Sequence, residues 1–127
     1  MASRTALLAS APTSRRVLIV AAAPAQLLDV AGPAEVFAQA SRLSAAPLYD
    51  VEVAVVPNAG RKAPTTTSGV QLVSGRSLAA LLADRRPLDT LIVAGGEGAR
   101  QRAEDPALRD AVRRLARRSR RVASVCT

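Results

Sequence analysis

Val17-Leu18-Ile19-Val20-Ala21-Ala22 is an unbroken apolar run, partly β-branched and too short for a helix that must cross a domain. A strand of that kind has no wet face, so it predicts a central position in a sheet covered on both sides. Leu88-Asp89-Thr90-Leu91-Ile92-Val93-Ala94 repeats the pattern and ends in Gly95-Gly96. Tyr49 to Val56 alternates and then runs apolar, with Pro57-Asn58-Ala59-Gly60 as the turn that closes it. Val122 to Val125 is a last, shorter strand that delivers Cys126.

Helical signals fall between these strands. Leu27, Leu28, Val30, Ala31, Ala34, Val36, Phe37 and Ala40 recur at mixed helical spacing, and Pro33 is tolerated in a first helical turn. The reading is a loop-like segment over Leu27 to Gly32 and a helix beginning near Pro33. Lys62 to Val73, with Thr65-Thr66-Thr67 and Ser68-Gly69, reads as two short strands around a tight turn, and Ser77 to Leu82 as a short helix. Asp105-Pro106 is an N-cap followed by a proline at the first helical position. Leu108, Ala111, Val112 and Leu115 then trace one apolar face, with Arg109, Arg113 and Arg117 on another. The order predicts a doubly wound α/β domain over residues 16–127, behind a flexible tail over residues 1–15.

Composition narrows the function. One Phe, one Tyr and no Trp in 127 residues leave little for base stacking, and no helix-turn-helix pattern occurs. The net charge of +8 is concentrated between Arg100 and Arg121, where nine arginines face three acids, and reads as a solvated helix face. With no histidine, a Cys-His or Ser-His dyad is excluded, as is a His/Cys zinc cluster; no metal is expected. Gly96-Glu97-Gly98 is only a fragment of a dinucleotide loop, so no cofactor is expected. No apolar stretch reaches the ~20 residues of a membrane span. Ser14-Arg15-Arg16 precedes an apolar segment that Pro24, Gln26 and Asp29 interrupt, which argues against an export signal. A single cysteine fits a reducing, cytoplasmic setting.

Ligand sites of doubly wound sheets form beyond the carboxyl ends of the strands. The segment leading to Glu35, the Gly95-Gly96 pair and Cys126 each follow a strand, so they converge on one edge. A thiol lifted from a sheet by a turn can serve as a nucleophile, and a carboxylic acid beside it can orient it and share its proton without histidine. Glycines let backbone N–H groups approach a substrate oxygen.

Three separated stretches carry a resemblance: Leu27-Leu28-Asp29-Val30-Ala31-Gly32-Pro33-Ala34-Glu35-Val36-Phe37, Asp89 to Gly96, and Val122-Ala123-Ser124-Val125-Cys126-Thr127. Together they resemble the ThiJ/PfpI family of class I glutamine-amidotransferase-like proteins. That resemblance implies a flavodoxin-like, mostly parallel sheet, with Cys126 on a nucleophile elbow and Glu35 as the acid bonded to the thiol. It also implies an oxyanion pocket at Gly95, Gly96 and Thr127, with Asp29 lining the site. The wording Leu-Leu-Asp-Val-Ala-Gly-Pro with Ser-Val-Cys-Thr is most similar to the amino-terminal domains of AraC-type transcription regulators, the GlxA-like group. This implies a small-molecule ligand, DNA contacted only through a carboxyl-terminal region not in this chain, and a homodimer when intact. The sheet would then be incomplete at its carboxyl end, and the chain a fragment. The alternative is a cysteine-dependent enzyme of the isonitrile hydratase or amidase-like type.

Overall fold

The computed structural model describes residues 13–58 and 65–126. In chain order the elements are β1 (Arg15–Ala22), α1 (Leu27–Leu43), β2 (Tyr49–Val56), α2 (Leu78–Ala83), β3 (Leu88–Ala94), α3 (Glu97–Gln101), α4 (Pro106–Arg117) and β4 (Ser119–Val125). The four strands form one parallel sheet in the order β2-β1-β3-β4. Strand order reverses between β1 and β3, which opens a crevice at their carboxyl ends.

β1 is central for the reason its composition implies. Val17, Leu18, Ile19 and Val20 are each no more than 2% exposed, and burying such a side chain is worth roughly 1.5–3 kcal/mol. Its odd residues Val17, Ile19 and Ala21 share a core with Val30, Ala34 and Phe37 of α1. Its even residues Leu18 and Val20 share another with Leu81 of α2 and Leu115 of α4. Thus α1 covers one face and α2 with α4 the other, as a doubly wound sheet requires. Phe37 and Tyr49, the two aromatic residues, meet edge to face at 4.8 Å between the helix and β2.

Two local expectations are corrected. First, α1 starts at Leu27 rather than near Pro33, and Pro33 lies within it. Proline there forfeits one helical hydrogen bond, but Gly32 has no Cβ to collide with the ring, and burial of Val30 holds the preceding turn in place. Second, residues 65–73 form no hairpin: Thr66 makes a single parallel bridge to Ala25. Thr66 Oγ1 donates to the Val70 carbonyl at 2.6 Å and Thr65 Oγ1 accepts from Leu72 N–H at 2.5 Å, so side chains satisfy the backbone that a ladder would have paired. Residues 62–64 of that expectation lie outside the described residues. Glu97–Gln101 adds a short helix that no sequence signal indicates. Of the expected tail, residues 1–12 lie outside the described residues, and Arg15 already belongs to β1.

The amino-terminal edge of the sheet carries an ion-pair network. Arg16 bridges Glu52 at 3.2 Å and Asp84 at 3.1 Å, Arg76 bridges the same two carboxylates at 2.7 and 3.1 Å, and Arg86 pairs with Asp84 at 2.7 Å. Arg118 donates to the carbonyls of Leu81, Leu82 and Asp84, closing the carboxyl end of α2. Asp89 accepts from Arg120 at 2.7 Å and lies 3.3 Å from Arg121. The Arg120 guanidinium, helped by the Thr90 hydroxyl, holds the Asp89 carboxyl down to about 2 from its ordinary 3.8. A depressed carboxyl stabilises the fold fully above its unfolded value and loses that contribution as pH falls through the folded one. Denaturant titrations should therefore show stability falling between about pH 4 and pH 2. Asp89→Asn should cost about 1 kcal/mol at pH 6 and flatten that part of the profile; an unchanged profile would remove Asp89 from the acid response.

Candidate functional site

At the carboxyl edge, the exit of β3 is stitched to the connection between β1 and α1. Gln26 N–H donates to the Gly95 carbonyl at 3.0 Å, and Gly98 N–H donates to the Pro24 carbonyl at 2.9 Å. On the other side of that connection, Ala25 N–H donates to Thr65 O at 2.9 Å and Thr67 N–H donates to Ala25 O at 3.0 Å. Gly96, at φ +123°, makes the turn from β3 into α3 in a backbone region that side-chain-bearing residues rarely enter. The connection is thereby clamped between β3 and the 65–67 segment, and the first turn of α1 is aimed at the ends of β3 and β4.

Asp29 occupies that first turn. Its Oδ2 is buried and has no hydrogen-bond partner among the described residues. A buried acceptor left unmatched costs about 1–3 kcal/mol and calls for a reason, such as a catalytic role or a bound partner; Arg16 Nε and Arg118 Nε, at the other end of the sheet, are likewise unmatched donors among the described residues. Gly95 shows how close the neighbours are. A Cβ placed on it would stand 2.7 Å from Cys126 Cβ, 2.8 Å from Asp29 Oδ2 and 2.8 Å from the Val125 carbonyl oxygen. The cysteine and the carboxylate therefore flank one point, and only glycine leaves it empty.

Cys126 follows β4 directly, with φ +66°, and is exposed. Among the described residues it is the single non-glycine at positive φ. Left-handed backbone costs an L-residue roughly 1–2 kcal/mol, and strain of this kind concentrates where a side chain must be presented rather than packed. Cys126 thus stands beside Gly95, at the carboxyl edge of the sheet.

The structure thus brings together Asp29, Gly95 and Cys126, with Gly96 supplying the turn beside them. Glu35 is exposed, six residues further along α1, and makes no hydrogen bond or ion pair among the described residues. Thr127 lies outside the described residues. Sequence reasoning missed Gln26, whose N–H holds Gly95 in place, and the Thr65–Thr67 segment that flanks Ala25; the run of three threonines before Gly69 was the available signal. No group of three His, Cys, Asp or Glu side chains converges on a metal position among the described residues. No helix among them is long and apolar enough to cross a membrane.

Chemically, the arrangement offers a soft nucleophile, an acceptor oxygen that wants a donor, and a gap shaped by glycine between them. Gly95→Ala should be costly, because the new methyl meets a backbone carbonyl that cannot swing aside. Urea denaturation should show a loss of about 1–3 kcal/mol. Adding Asp29→Ala removes one of the three collisions and should recover part of that loss; full tolerance of Gly95→Ala would contradict the packing described.

The DJ-1/PfpI family model matches residues 15–127. An uncharacterized protein in the cpoL 5' region of Streptomyces lividans is 38% identical over 112 residues, covering 88% of this chain and 73% of that protein. Among solved structures, a ThiJ/PfpI family protein from Pseudomonas syringae superposes with a TM-score of 0.67 at 17% identity, over 99% of this chain and 48% of its own. An AraC family transcriptional regulator from Pseudomonas putida superposes with a TM-score of 0.50 at 17% identity, over 89% of this chain and 77% of its own. Identities this low show a shared fold. The chain spans about half the length of the Pseudomonas syringae protein.

Proposed function

We propose that this chain, which belongs to the DJ-1/PfpI family, is the ligand-sensing part of a transcription regulator, with DNA contacted by another region of the intact protein. The observation that carries the reading is the buried, unmatched Asp29 Oδ2 beside Cys126 and Gly95. A small molecule bearing an N–H or O–H group would supply the missing donor, and its binding would be felt by β3, β4 and α1 at once. The wording of residues 27–33 and 124–127, similar to AraC-type regulators, favours sensing, and the fold shared with the Pseudomonas putida regulator is compatible with it.

A second reading rests on Cys126 at φ +66°. In an enzyme of the hydratase or amidase-like type, the sulfur would add to an electrophilic carbon while the thiol proton passes to a carboxylate. Asp29 stands nearest to that role and Glu35 is the other acid of α1. In the hydratase case that proton moves on to the substrate carbon as the thioimidate forms, and water then adds to the same carbon and expels the thiol; in the amidase case the proton leaves with the amine as a thioester forms, and water hydrolyses the thioester and restores the thiol proton.

Both readings are tested on the protein expressed from its whole reading frame. A panel of small molecules bearing hydrogen-bond donors is screened by thermal shift, and hits are assayed for their effect on binding to DNA upstream of the gene. A sensor should show an affinity change of about 5- to 150-fold for DNA, the usual range of allosteric coupling, and Asp29→Asn should abolish it. Turnover of isonitriles or amides that Cys126→Ala lowers at least about hundredfold, without any sequence-specific DNA binding, would overturn the sensor in favour of the enzyme.

A further inference from the structure

A cavity of about 310 Å³ lies on the opposite side of the sheet from α1, between the β1–β3 pair and the α3–α4 pair. Its floor is Val20 and Val93, which are register partners in the sheet. Ala99 of α3 and Leu108 and Val112 of α4 form its roof. Its volume sits at the small end of the range for ligand pockets, roughly 300–1,000 Å³. Apolar walls in contact with water cost about 25 cal/mol per Å², so an alkyl group entering this space gains by displacing that water.

The rim gives the ligand its sign. Arg102, Arg109 and Arg113 all border the cavity, and among the described residues no acidic side chain lines it. Arg102 is committed to Asp105 at 2.7 and 3.1 Å and to the Pro57 carbonyl at 3.2 Å. Arg109 is committed to Glu104 at 2.9 Å. Arg113, one turn further along α4, has no hydrogen bond or ion pair among the described residues. One uncommitted guanidinium beside an apolar chamber matches one carboxylate, which arginine holds through two parallel hydrogen bonds. We propose that this cavity binds an amphipathic monoanion, an alkyl carboxylate whose chain lies between Val20, Val93 and Val112 and whose head is held by Arg113.

The cavity lies across the sheet from Asp29, although Ala22 and Ala94, the last residues of β1 and β3, border it. Octanoate is the probe, titrated into the 127-residue chain by calorimetry and followed by chemical-shift mapping, with octan-1-ol and octyltrimethylammonium as neutral and cationic counterparts. Octanoate should bind saturably and perturb residues of α3, α4 and the ends of β1 and β3. Arg113→Gln should weaken octanoate about five- to tenfold and leave octan-1-ol unchanged. Ala99→Leu, which fills the roof, should abolish binding of both, and Asp29→Asn should alter neither. The proposal is overturned by absence of octanoate binding, by equal octanoate affinity in Arg113→Gln, or by octyltrimethylammonium binding as well as octanoate. Self-association of the chain that Ala99→Leu abolishes would overturn it too, by assigning the cavity to a contact between copies.

Discussion

Two backbone hydrogen bonds, from Gln26 N–H to the Gly95 carbonyl and from Gly98 N–H to the Pro24 carbonyl, tie the end of β3 to the start of α1. They form only because the two segments come within touching distance. At Gly95 and Gly96 a side chain would meet neighbouring atoms at 2.4–3.0 Å. Parallel pairing of β1 with β3 brings the two exits to the same edge, and this contact then sets the direction in which α1 leaves it. Asp29 Oδ2 is buried against Gly95 as a consequence, and β4, the next strand over, delivers Cys126 to the same point. Without the close approach, the acid and the thiol would be two unrelated surface groups.

The two ends of the sheet are built on opposite principles. At the amino-terminal end, Arg16, Arg76 and Arg86 surround Glu52 and Asp84, and burial of those charges is offset by their mutual pairing. Neighbouring arginines lower both carboxyls from their ordinary values, Asp84 chiefly through Arg86 and Glu52 chiefly through Arg76. At the carboxyl end, Asp29 keeps an unmatched buried oxygen and Cys126 a left-handed backbone. Among the described residues Arg16 Nε and Arg118 Nε stay unmatched at the amino-terminal end, so the contrast lies between its many paired charges and a carboxyl end where an unmatched acceptor and a strained backbone meet, costs that folding alone would remove. Arg16 shows how much position matters: in the chain it is a polar residue ahead of a strand, and in the fold its side chain is only 12% exposed and bridges two carboxylates from distant elements.

β4 belongs to neither principle. Residues 120–124 are exposed, Val122 at 55%, although they pair in register with β3. Backbone pairing holds this strand in place while its side chains contribute little burial, so the position of Cys126 rests on hydrogen bonds and on the packing of Val125 against the α1-side core.

The chain by itself determined β1, β2 and β3 almost to the residue, because a strand buried on both faces needs an apolar run and a turn to end it. It determined α4 through the Asp105 cap and the Leu108–Leu115 face, where Ala111 and Leu115 are buried. These signals are local, and a local pattern survives being read one window at a time. Tertiary structure alone decided the rest. Burial of Val30 against the sheet carried α1 through Pro33 to Leu27, and bonds between Thr65, Thr66 and the Val70–Leu72 backbone replaced the expected hairpin. Of the two acids in α1, Asp29 was set beside the thiol and Glu35 left exposed, a choice that depends on which turn of the helix meets Gly95. The cavity between Val20 and Val112 likewise exists only once α4 lies over β1 and β3. The threonine bonds are local but irregular, whereas the meeting of Asp29 with Gly95 and Cys126, and of Val20 with Val112, joins residues about 65 to 100 positions apart, and no periodicity along a chain encodes which distant surfaces will meet.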